Sequence, residues 1–243
     1  MISKIGFEFI DKALYLTKQK ILVVADLHIG YEEALNKEGI FVPRTQFREL
    51  VCDLEKIFKQ LKKEKKKIEK IVVLGDLKHE FGEISQQEWR ETKPILDLLK
   101  KKAKKVILIK GNHDTILEPI AKRKALGIRD FYIEDGICFL HGHKLFLECL
   151  DKKVKMLVVG HRHPAVVLAD KYKKEKYKCF LFGKWKGKEI ILMPSFFSFI
   201  IGSDILTNSN NNYLFISDKE LEKFEVYVVG DKVYRFGELR SLI

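Results

Sequence analysis

The chain has 243 residues, 46% of them hydrophobic and 11% aromatic, and a formal net charge of +12. This is enough apolar material to bury a sizeable core, in one large domain or two small ones. No apolar run approaches a membrane span, and the opening MISKIGFEFIDKALYL alternates apolar and polar residues where a signal peptide would have a charged and then an apolar region, so the expectation is a cytoplasmic protein outside the membrane.

In chain order, residues 5–9 and 13–18 alternate around Asp11-Lys12 and predict a hairpin. ILVVAD (21–26) suits a strand buried on both faces. From 44 to 67, Phe47, Leu50, Val51, Leu54, Ile57, Phe58 and Leu61 recur at spacings of three and four, the period of a helix. IVVLGD (71–76) is a second buried strand. Ser85 with Glu88 three residues on reads as a capping box that opens a second helix, and Pro94 is placed to kink it. VILIKG (106–111) is a third strand. Strand, helix, strand, helix, strand predicts a parallel sheet with helical crossovers.

After Gly127 the runs FYIED, GICFLHG, KMLVVGH, AVVLAD, YKCFLF, EIILMP, YLFIS and KFEVYVVGDKVYRF predict closely spaced strands, much of that sheet antiparallel. No linker rich in Pro, Gly or Ser interrupts the chain, so residues 1–243 read as one domain with two packed sheets and outer helices; GSDILTNSNNN (202–212) reads as a mobile loop. Cys52, Cys138, Cys149 and Cys179 form no C-x-x-C pair and are expected to be buried and unpaired. The lysine runs at 62–67, 100–105 and 171–178 have two readings, solvated faces or affinity for a polyanion.

All seven histidines lie just beyond apolar runs: VVAD-LH, VVLGD-LKH, ILIKGN-HD, CFLHGH and LVVGHRH. Ligand sites of open α/β sheets gather beyond the carboxyl ends of strands. Five strands would therefore deliver Asp26, His28, Asp76, Asn112, His141, His161 and His163 to one edge. Carboxylate oxygens with imidazole nitrogens suit manganese, iron, zinc, cobalt or nickel. Seven ligands are too many for one ion that must also bind substrate, but two ions could share them through a bridging carboxylate.

D-x-H, G-D-x-x-H, G-N-H-D, H-G-H and G-H-x-H in this order resemble the calcineurin-like metallophosphoesterase superfamily, over residues 21 to 164. The resemblance implies a four-layer αββα sandwich, two mixed sheets flanked by helices. It implies Asp26, His28 and His163 on one divalent metal, Asn112, His141 and His161 on a second, and Asp76 as bridge, with manganese foremost. It implies phosphodiester hydrolysis by a metal-bound hydroxide, with His113 as catalytic histidine and Asp114 beside it, able to orient it. Either His141 or His143 could be the ligand; the family pattern favours His141. His79 resembles the histidine of SbcD-like repair nucleases that helps position nucleic acid phosphate. Arg162 reads as an anion contact or as a salt bridge to Glu80 or Glu83.

More narrowly, VVADLHIGYEEALNKEGIFVPRTQ, GHRHPAVVL and FLFGKWKGKEIILMPSFFSFIIGSDI resemble the ICC-like branch, which includes ligase-associated DNA-damage-response endonucleases. That implies a nucleic acid substrate and repair partners. Tyr172, Tyr177 and Trp185, interleaved with lysines, read as the best candidate for a nucleic-acid surface or as an ordinary amphipathic hairpin; Phe196, Phe197 and Phe199 read as core or as base-stacking rings. The rival functions are a phosphodiesterase or phosphatase for a small nucleotide and an inactive binding scaffold.

Overall fold

Asp11 and Lys12 turn the chain between β1 (Phe7–Ile10) and β2 (Ala13–Leu16), the antiparallel hairpin that the alternation predicts. The computed structural model describes residue 3 and residues 5–169, 173–205 and 215–242. β3 (Ile21–Val24) continues the hairpin antiparallel. The chain then runs through α1 (Tyr31–Lys37), α2 (Gln46–Lys63), β4 (Lys70–Leu74), α3 (Gln86–Lys102), β5 (Lys105–Ile109), α4 (Glu118–Arg123) and β6 (Ile128–Arg129). Among the described residues this first sheet has the order β1-β2-β3-β4-β5-β6, with β3 to β6 parallel. Ser85 and Glu88 make the expected reciprocal cap, and α3 continues through Pro94.

The second sheet comprises β7 (Phe131–Glu134), β8 (Ile137–Leu140), β9 (Met156–Val159), β10 (Pro164–Ala169), β11 (Lys174–Trp185), β12 (Lys188–Leu192), β13 (Ser203–Asp204), β14 (Glu225–Val229) and β15 (Val233–Glu238), with α5 (Asp218–Leu221) preceding β14. β11 is long enough to serve two neighbourhoods. Its first half pairs with β10, and its second half lies between β12 and β14. The sheet is mixed, because β9 pairs parallel with both β8 and β12.

Period-two burial makes the layers. Ile21, Val23, Val72, Leu74, Ile107 and Ile109 meet Ile137, Phe139, Met156, Val158, Phe180 and Phe182 between the sheets. Leu22, Val24, Ile71, Val73 and Leu108 point the other way, onto Leu54, Ile57, Leu61, Ile95, Leu96 and Leu99 of α2 and α3. Each fully buried aliphatic side chain contributes roughly 1.5–3 kcal/mol, so the central strands are held from both faces. The outer face of the second sheet, with Leu157, Val159 and Leu181, is covered by short helical turns through Cys149, Leu221 and Leu239. The result is helices, sheet, sheet and a thin outer helical layer.

Several expectations are corrected. Cys138 and Cys149 lie side by side as a pair, and Cys52 is exposed. Cys138 on β8 and Cys149 in a turn covering that sheet have Cα atoms 5.7 Å apart, within disulfide reach, a proximity that eleven residues of separation does not announce. Trp185 is buried against Phe215 and offers no face to a nucleic acid, while Tyr177 is half-buried on the same core. Tyr172, most of the loop at 202–212 and the start of YLFIS lie outside the described residues; residues 215–217 are not strand.

Candidate metal centre

β3, β4, β5, β8 and β9 end at a common edge, and the segments beyond them meet there. Many leave the strand in the left-handed region: Asp26 (φ 55), His28 (φ 46), Asp76 (φ 47), His161 (φ 68) and His163 (φ 48). Such backbone costs on the order of 1–3 kcal/mol per non-glycine residue, so strain is gathered where the donors converge. Two glycines allow that convergence. A Cβ on Gly75 would strike the His141 ring, and one on Gly111 would strike the Asp76 carboxylate.

Asp26 Oδ1 lies 3.4 Å from His163 Nε2, which lies 3.4 Å from His28 Nε2. On the other side His141 Nε2 lies 3.3 Å from Asp76 Oδ2, 3.0 Å from Asn112 Oδ1 and 3.1 Å from His161 Nδ1. Asp76 Oδ2 is also 3.8 Å from His28 Nε2, which places it between the two groups. Donors about 2.0–2.2 Å from a shared ion stand about 3–3.6 Å from one another, so these spacings fit metal coordination. His141 Nδ1 donates to Leu74 O at 3.0 Å, which leaves Nε2 as the donor atom facing the site.

The electrostatics agree. Burial pushes the His28 imidazole down to about 3, despite Asp76, and burial with the neighbouring His141 charge takes His161 to about 4; both remain neutral, as ligands must. Burial alone would lower His141 too, but Asp76 and Asp26 outweigh it and raise it to about 9. Burial would raise Asp26 and Asp76, yet His163 and His141 respectively hold them below the usual carboxylate range. Without metal, a proton on His141 supplies the positive charge that these carboxylates demand. The residues therefore fit divalent metal in charge as well as in spacing.

His79 and His113 border the same cluster. The His79 ring stacks on His113 at 5.1 Å and its Nδ1 faces His28 Nδ1 at 3.3 Å; burial, then the His113 charge, lowers it to about 4. His113 N donates to Asp76 Oδ1 at 2.9 Å, its Nδ1 donates to His79 O, and its Nε2 lies 4.0 Å from Asp76 Oδ2. Asp114 does not orient that ring. Its carboxylate accepts from the backbone N–H groups of Gly111 (3.0 Å), Leu77 (3.1 Å) and Lys78 (3.3 Å), and so ties the loop after β5 to the loop after β4. His143 sits farther out, 5.3 Å from the His141 ring, and it is His141 that touches Asn112 and Asp76. Arg162 pairs with Asp218 at 2.8 Å, while Glu80 and Glu83 pair with Lys37.

Other supports gave no chemical signal in the sequence. Gln46 donates to the carbonyls of Leu27 and His28 (3.2 and 2.8 Å), which fixes the first loop. Glu88, legible only as a helix cap, also accepts from His79 N and Glu80 N at 2.9 and 2.8 Å. Lys78, buried beneath them, donates to Glu80 O and Glu83 O. Tyr31 lies edge-on to His79 at 4.8 Å.

A two-sheet sandwich with nitrogen and oxygen donors converging at its strand ends is the build of a metal-dependent hydrolase. The chain belongs to the calcineurin-like phosphoesterase family, whose family model matches residues 19–184, and it is a metal-dependent phosphoesterase. Pseudomonas putida nuclease MPE has a similar structure, with 20% identity over 93% of this chain and 92% of that one and a TM-score of 0.64. Vps29 from Cryptosporidium parvum is more distant, at 16% identity over 90% and 97% of the two chains and a TM-score of 0.40. At these identities the likeness is one of fold. No curated protein matches the chain. Among the described residues no helix is long and apolar enough to cross a membrane.

Proposed function

We propose that the chain is a two-metal phosphodiesterase acting on nucleic acid, built as a single domain. The observation that supports it most is the position of Asp76 Oδ2, 3.3 Å from His141 Nε2 and 3.8 Å from His28 Nε2, between two groups of donors. Asp26, His28 and His163 would hold one ion, Asn112, His141 and His161 the other, and Asp76 both. Bound ions supply positive charge for phosphoryl oxygens and ionise water near neutral pH.

The chain's own residues do the rest. His113 keeps its Nδ1 proton on the His79 carbonyl, so Nε2 is the atom that faces the site. From there it can protonate the leaving oxygen or donate to a phosphoryl oxygen. Asp114 holds the two loops that carry Asp76 and His113 in register. His79 stacks on His113 and limits its rotation. The +12 charge, and a fold shared with a nuclease, support a polymer of phosphates as substrate.

The test is a manganese-loaded assay against bis-p-nitrophenyl phosphate, cyclic nucleotides, single- and double-stranded DNA, and RNA. Hydrolysis of the synthetic diester and of a polymer is expected. Efficient nucleotide hydrolysis with no polymer cleavage would replace nucleic acid with a small nucleotide. Binding without hydrolysis of any substrate would make the chain a scaffold.

A further inference from the structure

A run of aromatic rings leaves the metal centre on one side. Phe197 lies 5.6 Å from the His28 ring, and Phe199 lies 6.0 Å from Phe197 at an interplanar angle of 18°. Tyr31 closes the set, 4.8 Å from Phe197 and 6.1 Å from Phe199. Backbone bonds fix its position, since Phe196 N donates to Ala25 O at 2.7 Å and Phe197 N to Asp26 O at 3.2 Å. The segment from 196 to 199 is thus tied to the loop that carries Asp26 and His28. Phe196 and Phe197 are buried, as core residues would be, but Phe199 is only half-buried.

Beyond Phe199 lies a shallow, open cavity of about 330 Å³ lined by Pro43, Thr45, Glu49, Ser198 and Phe199. Phe199 and Pro43 give it flat apolar walls. Glu49 gives it an acceptor edge, with Oε2 taking the Ser198 hydroxyl at 2.7 Å. Hydrogen bonds from Ser198 and Thr45 hold the Glu49 carboxyl below its ordinary range, so it is charged at neutral pH. A carboxylate repels phosphate. In a protein of net charge +12, a cavity two rings from the metal ligands that presents an aromatic face and a negative edge suits the uncharged part of a nucleotide.

We propose that this cavity receives the nucleobase adjoining the phosphate held at the metal centre, stacked on Phe199 with Glu49 accepting an N–H from the base edge. This rests on the nucleic-acid reading above and adds which part of the substrate is gripped. Stacking of a base on an aromatic side chain is worth about 1–3 kcal/mol, so removing the ring should weaken binding roughly 10-fold.

The experiment uses the full chain loaded with manganese and a dinucleoside monophosphate, which has one scissile bond. Two analogues lack the base on one side or the other. The wild type should show a KM about 10-fold higher for one of the analogues than for the parent. In Phe199→Ala the parent's KM should rise to match, collapsing that ratio toward one, and Phe199→Trp should restore it. Thermal unfolding of each variant verifies that it is folded. If the wild type cleaves all three alike, or Phe199→Ala keeps the ratio, the base cavity is overturned while the nuclease reading stands. If bis-p-nitrophenyl phosphate is hydrolysed and no nucleic acid or dinucleotide is, the nucleic-acid reading falls and the cavity with it.

Discussion

At the scale of single residues, Asp76 and His113 separate holding a metal from using it. Asp76→Asn keeps the shape but loses the charge shared by both groups of donors, so both manganese affinities should fall, by ~10-fold or more. Calorimetric titration checks this; one tightly bound ion in a fully active wild type would contradict two sites. His113 contacts Asp76 through its backbone N–H, and its ring bonds the His79 carbonyl. His113→Ala should therefore retain both ions and lose ~10²-fold or more in turnover, and near-wild-type turnover would remove it from the chemistry. Lys178, no metal ligand but near enough to Asp26 to feel its charge, provides a pH test of stability. Its Nζ donates to Ser195 Oγ and Ile200 O at 2.6 and 2.7 Å, and burial, with Lys12 nearby, lowers it to about 7. An unfolded lysine titrates near pH 10.4, so between about 7 and 10 the unfolded chain holds the extra proton and stability should climb with pH. Lys178→Met should flatten that climb in urea midpoints taken at pH 7, 8.5 and 10. Equal slopes would show that Lys178 titrates normally.

At the scale of elements, the loops that carry the site are braced by a buried ion pair. Lys78 Nζ lies 3.9 Å from Glu88 Oε1, and both side chains are fully buried. Glu88 caps α3 and at the same time accepts from the backbone of His79 and Glu80. Removing one partner of such a pair strands the other charge, which typically costs about 3–5 kcal/mol. Glu88→Ala should destabilise the protein on that order in equilibrium unfolding, and a loss below about 1 kcal/mol would show the pair to be dispensable. The fold and the site were unequally legible in the sequence. Strands such as β3 and β4 announced themselves because burial on both faces demands a continuous apolar run. The ligand-type residues were legible because few side chains bind borderline metals and each stood just past such a run. Asp114, Arg162 and Glu88 were not, since a sequence records which groups are present but not where their side chains turn. The six-residue helix α4 and two-residue β6 carry too few residues for any period to emerge. Trp185 was misplaced because alternation along β11 shows that two faces differ without showing which one is covered.

At the scale of the whole molecule, one line of lysines starts beside the metal centre. From His163, β10 runs outward and β11 returns beside it, with Ala169 opposite Lys174, Val167 opposite Lys176 and Ala165 opposite Lys178. At ~3.3 Å per residue, Lys176 and Lys174 stand roughly 13 and 20 Å along the strand from His163. Period two puts all three lysines on one face. Lys178 on that face bonds the 195–200 segment, whose Phe197 lies against His28 with Phe199 one ring farther out. Lys176 and Lys174 are exposed and continue the line outward. A polymer with one phosphate at the metals and the adjoining base on Phe199 would then lay its next phosphates along this hairpin. Binding should weaken as salt rises, with a log–log slope of about −0.7 per contacted phosphate on a single strand. Replacing Lys174 and Lys176 together by Gln should make that slope shallower by up to about 1.4, if each lysine meets one phosphate. Bis-p-nitrophenyl phosphate is too short to reach the hairpin, so its hydrolysis reports the metal centre alone and separates lost binding from lost chemistry. A salt slope identical to that of the wild type would assign these lysines to a solvated face and send the polymer out of the site by another path.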